Sequence, residues 1–326
     1  MNYLKLIRPL NLMMIVLTMY LFRICIVAAT PYKFFYIEPV LSGTEFLLLV
    51  LTTIFIAAGG YVVNDIFDSD IDAVNRSHKV IVGESVSEDA AYKFYTILCG
   101  LGIACTLVLA LLTKNYRLSS IPVVIMVLLN FYAHTFKKQL IVGNLIIALC
   151  TSFTVFIIAL FESTDNPDMT ANERYVHSGI AIAATVYGLF AFLTTFLREI
   201  VKDIEDQAGD EQYGCKSIPI VFGHTGAKIS AFVISILLLV LLASFVWFFP
   251  GLEKKNIAYF VLFLLIIPVF LINFLIFRAK YVRNYHLISN LIKVFMVIGI
   301  STMLYFYSGI GPYVFVQYAN FLKKLV

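Results

Sequence analysis

Charge is scarce in this 326-residue chain: only 13% of its residues are Asp, Glu, Lys or Arg, while 61% are hydrophobic. Such a composition excludes a soluble globular domain, and the mean hydropathy of +0.91 agrees. Cysteine is also sparse. The five, Cys25, Cys99, Cys105, Cys150 and Cys215, are scattered, which excludes a disulfide framework and a zinc site of regular spacing. Neither Gly-x-x-x-x-Gly-Lys-Ser/Thr nor Gly-x-Gly-x-x-Gly occurs, so a nucleotide is not the expected phosphate carrier. Nothing in the sequence points to a nucleic-acid or protein partner.

What is present is a series of long apolar runs. Stretches of about 18 or more residues fall at roughly 10–30, 44–63, 92–113, 118–135, 143–162, 178–197, 227–249, 256–277 and 287–308. They predict an all-α, multi-pass protein of the lipid bilayer with nine spans. The connection Lys114-Asn115-Tyr116-Arg117 is barely long enough for a turn. Cleavage of a signal peptide after Ala28-Ala29 is not expected, because Arg23 interrupts the run and no soluble domain follows it. Lys and Arg are concentrated on alternate connections, about 14 on the side of the N-terminus against about eight on the other. That asymmetry predicts a cytoplasmic N-terminus.

The scarce acids are clustered. One group runs from Asn64-Asp65 through Asp68 to Asp70 and Asp72, the other from Asp203 through Glu205-Asp206 to Asp210. Asp65, Asp68 and Asp72 are spaced i, i+3, i+7, and Asp203, Asp206 and Asp210 repeat that spacing, so at about 100° per residue each trio lies on one helical face. The clusters follow the second and sixth spans and share the predicted cytoplasmic side. Loop acids are commonly solvated charges or helix caps, and either cluster alone reads both ways. Two of matching spacing favour a shared function, since converging carboxylates repel unless a cation neutralises them. Oxygen-only ligands favour Mg2+ over softer metals. Arg76, Lys79, Arg198, Lys202 and Lys216 flank the clusters, the arrangement suited to a Mg2+-bound diphosphate. A cation transporter is the competing class, but it calls for acids near the bilayer midplane in helices broken by Gly or Pro, whereas here Pro268 is the proline well inside a span.

These residues resemble the UbiA superfamily of intramembrane prenyltransferases over nearly the whole chain. The first family motif, Asn-x-x-x-Asp-x-x-x-Asp, is matched by Asn64, Asp68 and Asp72 with the common extra Asp65, and the second by Asp206 and Asp210 preceded by Asp203. Supporting matches are Arg8-Pro9-Leu10-Asn11, Tyr132 through Lys137 followed by Gly143-Asn144, and Gly214-Cys215-Lys216-Ser217-Ile218-Pro219. The resemblance implies a single domain over residues 1–326, a nine-helix bundle around a central cavity with cytoplasmic Asp-rich loops, Mg2+ as cofactor and a polyprenyl diphosphate as substrate. It implies an inner or plasma membrane location, and Lys137 joins the diphosphate-binding residues on this basis. The loop Asn75-Arg76-Ser77-His78-Lys79-Val80-Ile81-Val82-Gly83 lacks the family's prolines, which predicts greater mobility there.

The Arg198–Asp210 segment and its Gly-Cys-Lys-Ser-Ile-Pro continuation look most like the geranylgeranylglycerol-phosphate geranylgeranyltransferase-like branch. That branch implies a lipid alcohol acceptor, geranylgeranylglyceryl phosphate, and an ether product. The alternative is an aromatic acceptor of hydroxybenzoate, naphthoate or homogentisate type, for which a carboxylate would want a cation inside the cavity. Arg23 or Lys293 could supply it, Lys293 being expected rather to snorkel to an interface. Asn11, Tyr132, His134 and Asn144 complete the candidate acceptor or cavity residues, His134 as an aid to proton removal.

Overall fold

The computed structural model describes residues 2–29, 37–76, 80–163, 169–248, 259–305 and 307, in which helix is the regular secondary structure and one isolated bridge joins Val82 and Val86. The helices in chain order are α1 (Asn2–Leu6), α2 (Pro9–Leu21), α3 (Gly43–Phe67), α4 (Ser69–Arg76), α5 (Glu88–Thr113) and α6 (Tyr116–His134). They continue as α7 (Val142–Glu162), α8 (Ala171–Gln212), α9 (Ile218–Phe248), α10 (Ile267–Arg278) and α11 (Val282–Ser301). Among the described residues, eight helical segments are long and apolar enough to cross a membrane. The ninth expected span corresponds to α11, which carries Arg283, His286 and Lys293 and is not among those eight.

Pro268 lies inside its span, Tyr259–Arg278, just after a π-helical segment, Leu262–Ile266, and Pro122 is a further proline inside a helix, in α6. One expectation about local structure is corrected: the acidic clusters are not in loops. The first straddles the joint of α3 and α4, and the second lies within α8, whose 42 residues reach about 63 Å at 1.5 Å per residue, roughly twice the hydrocarbon thickness.

The chain forms two compact units. The first comprises Met1–Leu17, Leu41–Cys150 and Lys202–Ala227. Within it α3 packs along α5 and α6, and α1 packs against α3. Small residues permit the approach: a Cβ on Gly102 would stand 3.0 Å from Ile56 Cγ1, and one on Gly59 3.3 Å from Cys99 Sγ. Leu6, Leu12, Val62, Ile66, Val82 and Val86 form a buried cluster that ties the N-terminal segment and the 80–86 turn to α3. In that turn the Ser85 and Val86 N–H groups bond the Ile81 carbonyl; Ser77, His78 and Lys79 lie outside the described residues. The short third-to-fourth connection is as expected, with Lys114 in the left-handed region at φ 54 and Asn115 capping α6 through the Leu118 N–H.

The second unit comprises Thr18–Val40, Thr151–Val201 and Lys228–Val326. Here Gly188 accommodates the Phe156 ring and Gly299 the Phe190 ring, Phe190 lies 5.6 Å from Phe295 between centroids, and the Tyr187 and Thr302 hydroxyls are 2.9 Å apart. Lys228 Nζ donates to the carbonyls of Phe277 and Ala279 at the end of α10. All five cysteines are free.

Candidate active site

The acidic clusters meet in the first unit. Asp68 caps the end of α3, donating its N–H to the Asn64 carbonyl at 2.9 Å, and the Asp72 N–H reaches back to the Asp68 carbonyl at 2.7 Å. The first trio therefore bends at Asp68 rather than lining one straight helix. Asn64, Asp68, Asp206 and Asp210 are all buried. Asn64 Nδ2 donates to Asp68 Oδ2 at 2.6 Å, and Lys137 Nζ donates to the same oxygen. Lys202 Nζ is 3.8 Å from Asp206 Oδ2.

Electrostatics join the two clusters. Burial pushes the Asp210 carboxyl up to about 6; Lys137 and Lys202 oppose the shift, and Asp206 and Asp68 reinforce it. Asp72 is raised by burial and then by Asp68, against the pull of Lys202 and Lys137. Burial alone would lower the Lys137 ammonium, but Asp68, Tyr132 and Asp210 together outweigh it and hold Lys137 above its ordinary value. Four carboxylates thus share two lysines. Among the described residues no three His, Cys, Asp or Glu side chains are grouped to hold a metal by themselves. The donor set instead suits Mg2+, which is commonly held by one or two carboxylates together with substrate phosphate oxygens.

Other candidates are placed as follows. Asp65 accepts from Arg8 NH2 at 2.5 Å, and Arg8 also lies over the Tyr61 ring, 5.1 Å from its centroid. Arg8 holds φ 50 immediately before Pro9, where extended backbone is the rule, so backbone strain accompanies its delivery to Asp65. Asp203 accepts from Asn144 Nδ2 at 2.8 Å. Ile141, at φ 65, makes the sharp entry to α7 that precedes Asn144, and Gly143 passes so close to the turn Phe136–Lys138 that a Cβ would be 3.0 Å from Lys137 Cα. Buried Tyr132 is part of the same corner, its ring 3.3 Å from that Cβ position. The Lys216 side chain is exposed while its N–H bonds the Lys138 carbonyl at 3.0 Å. Asn11 is half-buried on the first turn of α2.

Three further candidates have contacts of their own. His134 is exposed, with Nδ1 3.0 Å from Thr135 Oγ1 and its ring edge-on to Phe67. Arg198 belongs to the second unit and donates to Glu199 at 2.7 Å. Arg23, on a π-helical segment Phe22–Ala28, is paired with buried Glu162, which also accepts the Val40 N–H at 2.7 Å. Arg23, expected to face an acceptor carboxylate, has a protein carboxylate as its partner here. Arg76 ends α4, and its side chain lies outside the described residues, as does Lys79. Sequence reasoning missed Arg8, Glu162 and the contact of Asn75 with Gly209 as parts of the structure; only Arg8 carried a signal, as a basic residue beside the Pro-Leu-Asn match.

Apolar helices of membrane-crossing length define a multi-pass integral membrane protein. The chain belongs to the UbiA prenyltransferase family, whose description matches residues 24–297. A digeranylgeranylglyceryl phosphate synthase of Methanothermobacter thermautotrophicus is 30% identical over 316 residues, 95% of this chain and 96% of that protein. One from Methanobrevibacter smithii is 27% identical over 91% of this chain and 94% of its own length. Among solved structures, one concerning digeranylgeranylglyceryl phosphate synthase in membranes shares the fold at a TM-score of 0.60 and 24% identity, covering 95% of this chain and 97% of the other. A UbiA homolog from Archaeoglobus fulgidus bound to GPP and Mg2+ does so at 0.57 and 17%, covering 93% and 99%.

Proposed function

We propose that this protein is a Mg2+-dependent geranylgeranyltransferase that joins a polyprenyl diphosphate to geranylgeranylglyceryl phosphate through an ether bond. The observation that carries the reading is the convergence of Asp68, Asp72, Asp206 and Asp210 on Lys137 and Lys202. Those carboxylates, with Asp65, Asp203 and Asn64 around them, are the residues to hold the cation between protein and diphosphate. Bound Mg2+ supplies charge neutralisation of the departing diphosphate. Lys137 and Lys202 orient the diphosphate and take up its remaining charge; Lys216, Arg76, Lys79 and Arg198 belong to the same proposed set. As the C1–oxygen bond to diphosphate breaks, its electron pair leaves with the diphosphate, the acceptor hydroxyl oxygen bonds C1, and the hydroxyl proton is released. An apolar cavity wall of the kind the family resemblance implies would keep water from the allylic cation.

Relatives named digeranylgeranylglyceryl phosphate synthase at 30% and 27% identity over more than nine-tenths of the chain support the lipid acceptor. So does the Arg23–Glu162 pair, in which Arg23 already has a protein carboxylate as partner. The family match spans both compact units, which supports one catalytic domain over residues 1–326. The basic asymmetry supports a cytoplasmic N-terminus and active-site face in the inner or plasma membrane.

The test offers purified protein labelled geranylgeranyl diphosphate and Mg2+ with geranylgeranylglyceryl phosphate or a panel of aromatic acids. An ether lipid formed with Mg2+ and lost in excess chelator is expected. A prenylated aromatic with no ether product would overturn the acceptor, and cation flux without transfer would replace the enzyme with a transporter.

A further inference from the structure

The proposed site needs its two acidic motifs at a fixed separation, and one contact between them lies outside the carboxylates and lysines. Asn75 lies one helical turn beyond Asp72 on α4, and Gly209 immediately precedes Asp210 on α8. The Gly209 N–H donates to Asn75 Oδ1 at 2.8 Å, across 134 residues of sequence. The approach leaves no room for a side chain: a Cβ at Gly209 would stand 2.6 Å from Asn75 Nδ2, 2.8 Å from Asn75 Cγ and 2.8 Å from the Ile71 carbonyl oxygen. The last of these is backbone, so α4 itself must shift to admit it. Asn75 Nδ2 is buried and without a hydrogen-bond partner among the described residues. An unmet buried donor costs stability, so a gain other than stability must account for the amide here.

We propose that Asn75 and Gly209 are a positioning pair that docks α4 onto α8 and thereby sets the spacing of Asp72 and Asp210 around Lys137 and Lys202. The inference rests on the function proposed above and deepens it: the pair governs affinity for the cation-bound diphosphate through its neighbours. Asp72 and Asp210 each feel Lys137, Lys202 and Asp68, so a shift of α4 against α8 changes both carboxylates together.

The experiment compares wild type, Asn75→Ala, Gly209→Ala and the double variant as full-length protein. Three quantities are read: Mg2+-dependent binding of labelled geranylgeranyl diphosphate, thermal unfolding without ligand, and the separate effects on KM and kcat. Asn75→Ala removes the acceptor and leaves the backbone free of clashes. It is expected to unfold as wild type does, with affinity and kcat/KM lower by about tenfold, the size usual for groups that orient metal ligands, and kcat little changed. Gly209→Ala is expected to lose more. The double variant should lose less than the product of the two single losses, because Asn75→Ala clears two of the three atoms that the new Cβ meets. Wild-type binding in both single variants, losses that only track unfolded protein, or fully independent losses would overturn the pair. Absence of Mg2+-dependent binding in wild type would reject the proposed function itself, and the pair's role with it.

Discussion

At the scale of single residues, the site is a competition for charge. Lys137 and Lys202 partly neutralise Asp68, Asp72, Asp206 and Asp210, yet burial and mutual repulsion still hold the Asp210 carboxyl up at about 6. A raised carboxyl keeps its proton as pH falls below that value, and a protonated group binds cations poorly. Mg2+ affinity should therefore rise as pH climbs through about 6 and level off above it, with Asp210→Asn abolishing the step; Mg2+ titrations by calorimetry between pH 5 and 8 check this. The acids themselves were legible because carboxylates in an apolar chain stand out and their spacing repeats. Arg8 was not, since its partner Asp65 is 57 positions away and only the fold brings them together. Gly209 was equally silent: a glycine inside a helical run reads as a weak point until the atom that needs its missing Cβ is known.

At the scale of elements, hydropathy located the helices but not their ends or irregularities. The spans expected at roughly 143–162 and 44–63 match α7 and α3 to within a few residues. The sixth was expected at about 178–197, whereas α8 runs Ala171–Gln212, because its last turns are polar and carry the second acidic motif beyond the apolar stretch. The π-helical turn at Phe22–Ala28 has no composition signature, and it is where Arg23 meets Glu162, the last residue of α7. A guanidinium and carboxylate this buried are interdependent. Arg23→Leu leaves Glu162 and its charge without their partner, so about 3–5 kcal/mol of stability should be lost, and Arg23→Leu with Glu162→Leu should recover most of it. Thermal or denaturant unfolding of the three variants measures the difference. If Arg23 is structural, the acceptor KM of the single variant's folded fraction stays at the wild-type value.

At the scale of the whole molecule, the chain is a multi-pass membrane protein of the UbiA prenyltransferase family, and its acidic motifs lie at the ends of apolar helices, where charge costs less than at the bilayer centre. Length and hydropathy alone were enough for that architecture, whereas the acceptor depended on the detailed resemblance around Arg198–Asp210. The Lys and Arg asymmetry predicts the side of the membrane that the site faces. Lys138 is exposed next to the site, so Lys138→Cys in a chain freed of its five native cysteines should react with a membrane-impermeant maleimide in inverted vesicles and not in right-side-out ones. The reverse pattern would put the site on the outer face.

The central claim is that both acidic motifs jointly hold a cation-bound prenyl diphosphate. Its most direct test is equilibrium binding of labelled geranylgeranyl diphosphate, titrated with Mg2+, to wild type, Asp68→Asn and Asp206→Asn. Binding that requires Mg2+ in wild type and is lost in each variant, with thermal unfolding showing both still folded, is the predicted result. Binding that ignores Mg2+, or that survives in both variants, would contradict it.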